Sequence, residues 1–144
     1  MALFERKKRR FNRLLIVEDE PLVAFDTEYF LRDEGFDVVA TLDRVDDAVA
    51  LIQSGALIDL VLADISLADG SGLDVATAAV DAGIAVLFVT GQCPVEAQSL
   101  ADGCLGKPYA QRDLALAIAA IEAVREGGTP KRLPAGLSLF KTTA

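Results

Sequence analysis

Five short, mainly apolar runs, each followed by a stretch with helical spacing, constrain the fold of this chain more than any other feature. The runs are Leu14 to Val17, Phe36 to Ala40, Leu60 to Ala63, Ile84 to Val89 and the brief Cys104-Leu105. Runs without polar alternation suit strands buried on both faces, as in a parallel sheet. Between them, Pro21 stands at an expected first helical position, and Leu22, Phe25 and Tyr29 recur at helical spacing until Gly35. Val45, Ala48, Val49 and Ile52 mark a second helix, closed by Ser54-Gly55. Leu73, Ala76 and Val80 mark a third, ended by Gly83. The segment 94–101 predicts a brief fourth helix. Leu114, Ala117, Ile118, Ile121 and Val124 give the clearest amphipathic one, ending at Gly127-Gly128. Strands alternating with helices require right-handed crossovers, so the expected fold class is α/β: a doubly wound, five-stranded parallel sheet covered on both faces.

Charge divides the chain into three parts. Residues 1–12 form a basic lead-in containing Arg6, Lys7, Lys8, Arg9 and Arg10. Residues 13–126 form one domain, and 127–144 a tail with three glycines and two prolines, expected to be flexible. All 22 acidic residues except Glu5 lie in the central part, which holds few of the 14 basic ones. So acidic a body is a poor match to DNA phosphates, and the basic lead-in reads as a solvated segment. No apolar run reaches membrane-spanning length, and no signal-peptide stretch is present, so a cytoplasmic location is expected. With no histidine, the chain cannot be a phosphohistidine donor. Cys93 and Cys104 make neither a disulfide framework nor a zinc site, and are expected to be tolerant positions rather than redox partners.

In a sheet of this type, ligands gather at the carboxyl ends of the strands. The first run ends in Glu18-Asp19-Glu20, the third in Asp64, the fourth in Thr90-Gly91, and the fifth is followed by Lys107-Pro108. Carboxylates brought together disfavour one another's ionisation, which a hard divalent cation relieves. The hydroxyl and the ammonium suit phosphoryl oxygens. The set describes a carboxylate nucleophile surrounded by groups that neutralise an incoming phosphate.

In this order the motifs resemble the response-regulator receiver family over roughly residues 13–125. The stretches are Leu15-Ile16-Val17-Glu18-Asp19-Glu20-Pro21, Leu60-Val61-Leu62-Ala63-Asp64-Ile65-Ser66-Leu67, Phe88-Val89-Thr90-Gly91 and Gly106-Lys107-Pro108-Tyr109. The resemblance implies a flavodoxin-like fold with strand order 2-1-3-4-5 and a phosphoacceptor at Asp64. It implies Mg²⁺ held by Asp19 directly, Glu18 directly or through water, Asp64 and the Ser66 carbonyl. Glu20 lies beyond the matched pair and is not expected to be a ligand. Thr90 and Lys107 would bind phosphoryl oxygens, Gly91 would leave room for them, and the Lys107–Pro108 bond would be cis. The implied partner is a sensor histidine kinase or phosphotransfer protein.

The departures concern output. Ala68 stands where the family commonly has proline. Cys104 replaces the usual aromatic switch residue, and the interval from Thr90 to Lys107 is short. These features are similar to an alphaproteobacterial single-domain subgroup described by a Phe-Ala-Thr-Gly motif. The expected function is a phosphoacceptor rather than an enzyme, monomeric or weakly dimeric, signalling by protein contacts or draining phosphate. The alternatives are a pseudo-receiver that is never phosphorylated, and a small phosphatase. The phosphatase would need an acid where Ser66 stands.

Overall fold

The computed structural model describes residues 11–140, so the basic run Arg6 to Arg10 lies outside the described residues. Its elements are β1 (Arg13–Val17), α1 (Pro21–Asp33), β2 (Asp37–Leu42), α2 (Val45–Gln53), β3 (Leu60–Ala63), β4 (Ser66–Leu67), β5 (Gly70–Ser71), α3 (Gly72–Asp81), β6 (Ala85–Thr90), α4 (Ala97–Leu100), β7 (Gly103–Gly106), α5 (Gln111–Arg125) and β8 (Leu137–Leu139). The main sheet runs β2-β1-β3-β6-β7-β8, and β4-β5 is a separate two-stranded ribbon. The first five strands are parallel. With β4 and β5 counted in the numbering, this is the expected order 2-1-3-4-5. No helix among the described residues is long and apolar enough to cross a membrane.

Strands β1, β3 and β6 are buried along nearly their whole length because both faces of the sheet are covered. Alternate residues feed two cores. Leu15, Val17, Val61, Ala63, Val86 and Phe88 pack with α2 and α3. Leu14, Ile16, Leu60, Leu62, Leu87 and Leu105 pack with Leu31 of α1 and with Leu114, Ala117, Ile118 and Ile121 of α5. A buried Leu or Ile contributes about 1.5–3 kcal/mol, so these layers fix the register and thereby the positions of the strand ends.

Two sequence expectations need revision. The periodic trio of α1 does not face the core: Leu22 is 80% exposed and Phe25 and Tyr29 67%, while Ala24 and Leu31 are buried. The tail is not wholly flexible. Leu137–Leu139 pairs antiparallel with β7 as a sixth strand, matching Gly103 to Leu139, Cys104 to Ser138 and Leu105 to Leu137. The alternation Leu-Ser-Leu turns both leucines onto the α5-side core, and Phe140 packs on the other. Gly103 permits this pairing, since a Cβ there would lie 2.9 Å from the Ser138 carbonyl oxygen.

An ion pair between the partly buried Arg125 and the buried Asp102 ties α5 to the start of β7, and no motif in the sequence marks it. Asp102 is 3% exposed and accepts from the Val86 N–H at 3.1 Å. Arg125 clamps it with Nε at 2.5 Å and a terminal guanidinium nitrogen at 2.9 Å. The paired carboxylate raises the Arg125 pKa against the opposing effect of burial. Removing one partner of a buried pair is costly. Arg125→Met is therefore expected to destabilise the fold by about 2–4 kcal/mol, read as a lowered midpoint in urea unfolding. A change within about 0.5 kcal/mol would show that the clamp is energetically idle.

Candidate phosphoacceptor site

The carboxyl ends of β1, β3, β6 and β7 place four of the singled-out side chains around one cleft. Glu18 is 4% exposed, Asp64 7% and Thr90 5%. Lys107 directly follows β7 and is joined to Pro108 by a cis bond. Its Nζ donates to Glu18 Oε1 at 2.8 Å and to Asp64 Oδ2 at 2.9 Å. The remaining oxygens are also engaged: the Ser66 N–H donates to Asp64 Oδ1 at 3.2 Å and the Glu20 N–H to Glu18 Oε2 at 3.2 Å. The Lys107 N–H donates to the Thr90 carbonyl at 2.9 Å, which couples the hydroxyl-bearing and ammonium-bearing positions through the backbone.

Burial pulls the Lys107 pKa down, but the hydrogen bonds and charges of Glu18 and Asp64 outweigh it and hold the pKa above the ordinary value. Lysine ordinarily titrates near pH ~10.4. The stabilising contribution of this pairing is thus fully present below that pH and is lost only as pH rises through the higher folded value.

One carboxylate oxygen from each of Glu18, Glu20 and Asp64 lies within 4.8 Å of the others, a hard-oxygen donor set that fits a divalent cation. Asp19 is not in this group. The Glu20 backbone N–H, bonded to the Glu18 carboxylate, holds the two residues side by side at the end of β1. Glu20, set beyond the matched pair by the family resemblance, brings its carboxylate to those of Glu18 and Asp64. The cleft has a volume of about 870 Å³ and is lined by Glu20, Asp64, Ser66, Thr90, Gly91, Cys93 and Lys107 among others.

The loop after Asp64 is held from both sides. Asp69 accepts from the Val45 N–H at 2.7 Å, capping α2 where no side chain of the preceding residue does so. That bond is the main reason the Asp69 pKa lies below the usual carboxylate value. Ser71 caps α3 by accepting from the Leu73 N–H at 3.0 Å. At Gly72 any Cβ would collide with the Asp64 carbonyl oxygen, so the start of α3 presses directly on the backbone of Asp64.

The model of the response regulator receiver domain matches residues 14–119. The chain belongs to the response-regulator receiver family. The phyllosphere-induced regulator PhyR of Methylorubrum extorquens is 44% identical over 62 residues, covering 42% of this chain and 23% of that protein. The chain therefore spans about a quarter of that relative's length. A response regulator receiver protein from Sinorhizobium medicae superposes with a TM-score of 0.70 at 27% identity, covering 81% of this chain and 98% of the other. A CheY-like receiver domain protein from Methanospirillum hungatei gives 0.69 at 28% identity, covering 76% and 91%.

As Lys107 occupies oxygens that a divalent cation would use, a bound cation would compete with it. Lys107→Met is expected to tighten Mg²⁺ binding by about tenfold, a conservative share of the repulsion between charges a few ångströms apart. Isothermal titration calorimetry reads this directly. Unchanged or weaker binding would rule out competition.

Proposed function

We propose that this receiver accepts a phosphoryl group onto Asp64 from the phosphohistidine of a sensor histidine kinase or phosphotransfer protein, in a Mg²⁺-dependent reaction. The observation that carries the reading is the Lys107 ammonium held between Glu18 and Asp64 in the cleft that Thr90 and Ser66 also line. A carboxylate nucleophile paired to a mobile cation is poised for a substrate that brings negative charge.

The Asp64 oxygen attacks phosphorus in line, and the bond to the donor imidazole nitrogen breaks. Charge spreads over three equatorial oxygens. Lys107 turns from the carboxylates to one of them and the Thr90 hydroxyl donates to another, while Gly91, which faces open space, leaves room. Bound Mg²⁺ would neutralise charge on the carboxylates and phosphoryl group alike. The residues proposed to hold it are Glu18, Asp19, Asp64 and the Ser66 carbonyl, and Glu20 joins them by its place in the carboxylate cluster.

The donor is proposed to dock on α1. Leu22, Phe25 and Tyr29 form an exposed apolar stripe with the Phe25 and Tyr29 rings stacked at 6.4 Å. A second cleft of about 490 Å³, lined by Glu20, Val23, Thr27, Lys107 and Tyr109 among others, continues from this helix to the lysine. The output is proposed to be protein contact or phosphate drainage by a cytoplasmic monomer or weak dimer, with no DNA contact by this domain. The protein acts as a phosphoacceptor and not as an enzyme with a separate substrate. Its alphaproteobacterial-type character is part of the same proposal.

Incubation with acetyl phosphate or a kinase, read by intact mass, tests the reading. One phosphoryl group should be added, and Asp64→Asn or EDTA should abolish it. Lys107→Met should slow labelling by about 10²-fold or more, as loss of a preorganised charge does. Labelling that persists in Asp64→Asn would move the nucleophile elsewhere. No labelling of the unmodified protein under any donor would leave an interaction module that is never phosphorylated.

A further inference from the structure

The side chain of Lys107 passes the end of β6 to reach Glu18 and Asp64, so its reach depends on where its backbone is anchored. The stretch Gly106-Lys107-Pro108 forms that anchorage. Successive N–H groups along a strand point to opposite neighbours. The Lys107 N–H donates to the Thr90 carbonyl of β6 at 2.9 Å. The Gly106 N–H therefore points the other way, to the outer edge of β7, and donates there to the Gly136 carbonyl at 3.0 Å. Pro108 has no N–H to give. The tail thus accepts from Gly106 as β6 accepts from Lys107, and these bonds fix the root of the lysine.

Gly136 suits this contact by its backbone. It follows Pro134 and Ala135 in a turn closed by the Leu137 N–H on the Pro134 carbonyl at 3.3 Å, and its φ is +86°. Glycine adopts that conformation without cost, whereas a β-branched residue there is strained. From the turn, β8 runs back along β7, and the Phe140 N–H extends the pairing to the Asp102 carbonyl at 2.9 Å. Gly103 lets the two strands lie close: the three atoms nearest to a Cβ placed there all belong to β8. Pro134 is buried and Leu137, Leu139 and Phe140 are half-buried, while residues 126–129 and 131–133 are exposed. The tail is therefore held at its β8 end and little before it.

We propose that β8 and the Gly136 turn form a strap that positions Lys107, so that docking of the tail on β7 sets how well the ammonium serves phosphoryl transfer to Asp64. With the strap docked, the root of the lysine is bonded on both sides, and the ammonium swings from the carboxylates to a phosphoryl oxygen about a fixed point. With the strap released, the Gly106 N–H loses its acceptor and β7 becomes the edge of the sheet. Gly106 has no side chain to pack and Pro108 no donor, so the root loosens. Small displacements of a catalytic group cost rate steeply. Gly136 does not line the Asp64 cleft; it is a positioning residue that acts through Lys107.

The kinetic half of this proposal rests on Asp64 being the phosphoacceptor; the hold on Lys107 does not. In the full-length protein, Gly136→Val strains the turn and leaves β7 unchanged, while Gly103→Val drives a side chain against the Ser138 carbonyl. Each should raise amide hydrogen exchange at Leu137 to Phe140. Unchanged exchange there even with both substitutions combined overturns the strap. Acetyl phosphate labelling should be about tenfold slower in each variant. In a Lys107→Met background Gly136→Val should slow labelling no further, because the lysine that it positions is gone. Equal slowing in both backgrounds would mean that the strap only supports the fold, and overturns the proposal, as does unchanged labelling with the strap released. Calorimetry gives a readout without phosphorylation. A loosely rooted lysine competes less well for the carboxylates, so Gly136→Val should bind Mg²⁺ about threefold tighter, and Lys107→Met should erase that difference. If no donor labels the unmodified protein, the phosphoacceptor reading fails and the calorimetric comparison decides the strap: equal Mg²⁺ affinity with and without Gly136→Val overturns it.

Discussion

The hydrogen bonds from one ammonium to two carboxylates hold the top of this sheet together. Glu18 and Asp64 end neighbouring strands, β1 and β3, but Lys107 follows β7, which is separated from β3 by β6. Only a long, flexible side chain can cross that gap, and it must pass the end of β6, where Thr90 stands. The order of strands thus dictates which residue types can serve: short acids on the central strands, a hydroxyl between them, and lysine beyond. Without the lysine, two largely buried carboxylates would face each other with no positive charge at hydrogen-bond distance, a costly arrangement.

Around this centre the chain is rigid on one side and loosely held on the other. Beneath Asp64, Gly72 lets α3 press on the backbone, and Asp69 and Ser71 cap α2 and α3 on either side of the loop. Such support holds the Asp64 backbone in place without engaging its side-chain oxygens. Opposite, the stretch after Thr90 has a four-residue helix and few packed side chains. Preorganisation and adaptability are thereby assigned to different loops.

The alternation of apolar runs was enough to read the layered fold, because a doubly covered parallel sheet leaves little room for polar residues in its strands. The ends of those runs likewise displayed Glu18, Asp64, Thr90 and Lys107 in order. What stayed hidden depended on partners remote in sequence. Helical spacing in α1 marked a real helix, yet the core chose the small Ala24 and the more distant Leu31, leaving Leu22, Phe25 and Tyr29 outside. A three-residue strand such as β8 is too short to show a pattern and exists because β7 offers an open edge. The place of Glu20 in the carboxylate cluster depends on the turn after β1, which brings it near Asp64 at the end of β3. That does not follow from spacing between motifs.

The antiparallel direction of β8 has a practical consequence. Strand β7 runs toward the cleft, so β8 runs away from it and delivers Phe140 beside Asp102, where the Phe140 N–H donates to the Asp102 carbonyl at 2.9 Å. Strand β1 also starts at that pole, with the Asn12 carbonyl accepting from the Asp37 N–H at 2.8 Å. Both ends of the described chain therefore leave from the pole opposite Asp64. A fluorescent reporter, an affinity handle or a surface anchor joined at Phe11 or Phe140 would sit at that pole, away from the Asp64 cleft. Immobilisation through either position would leave the same face of the sheet open.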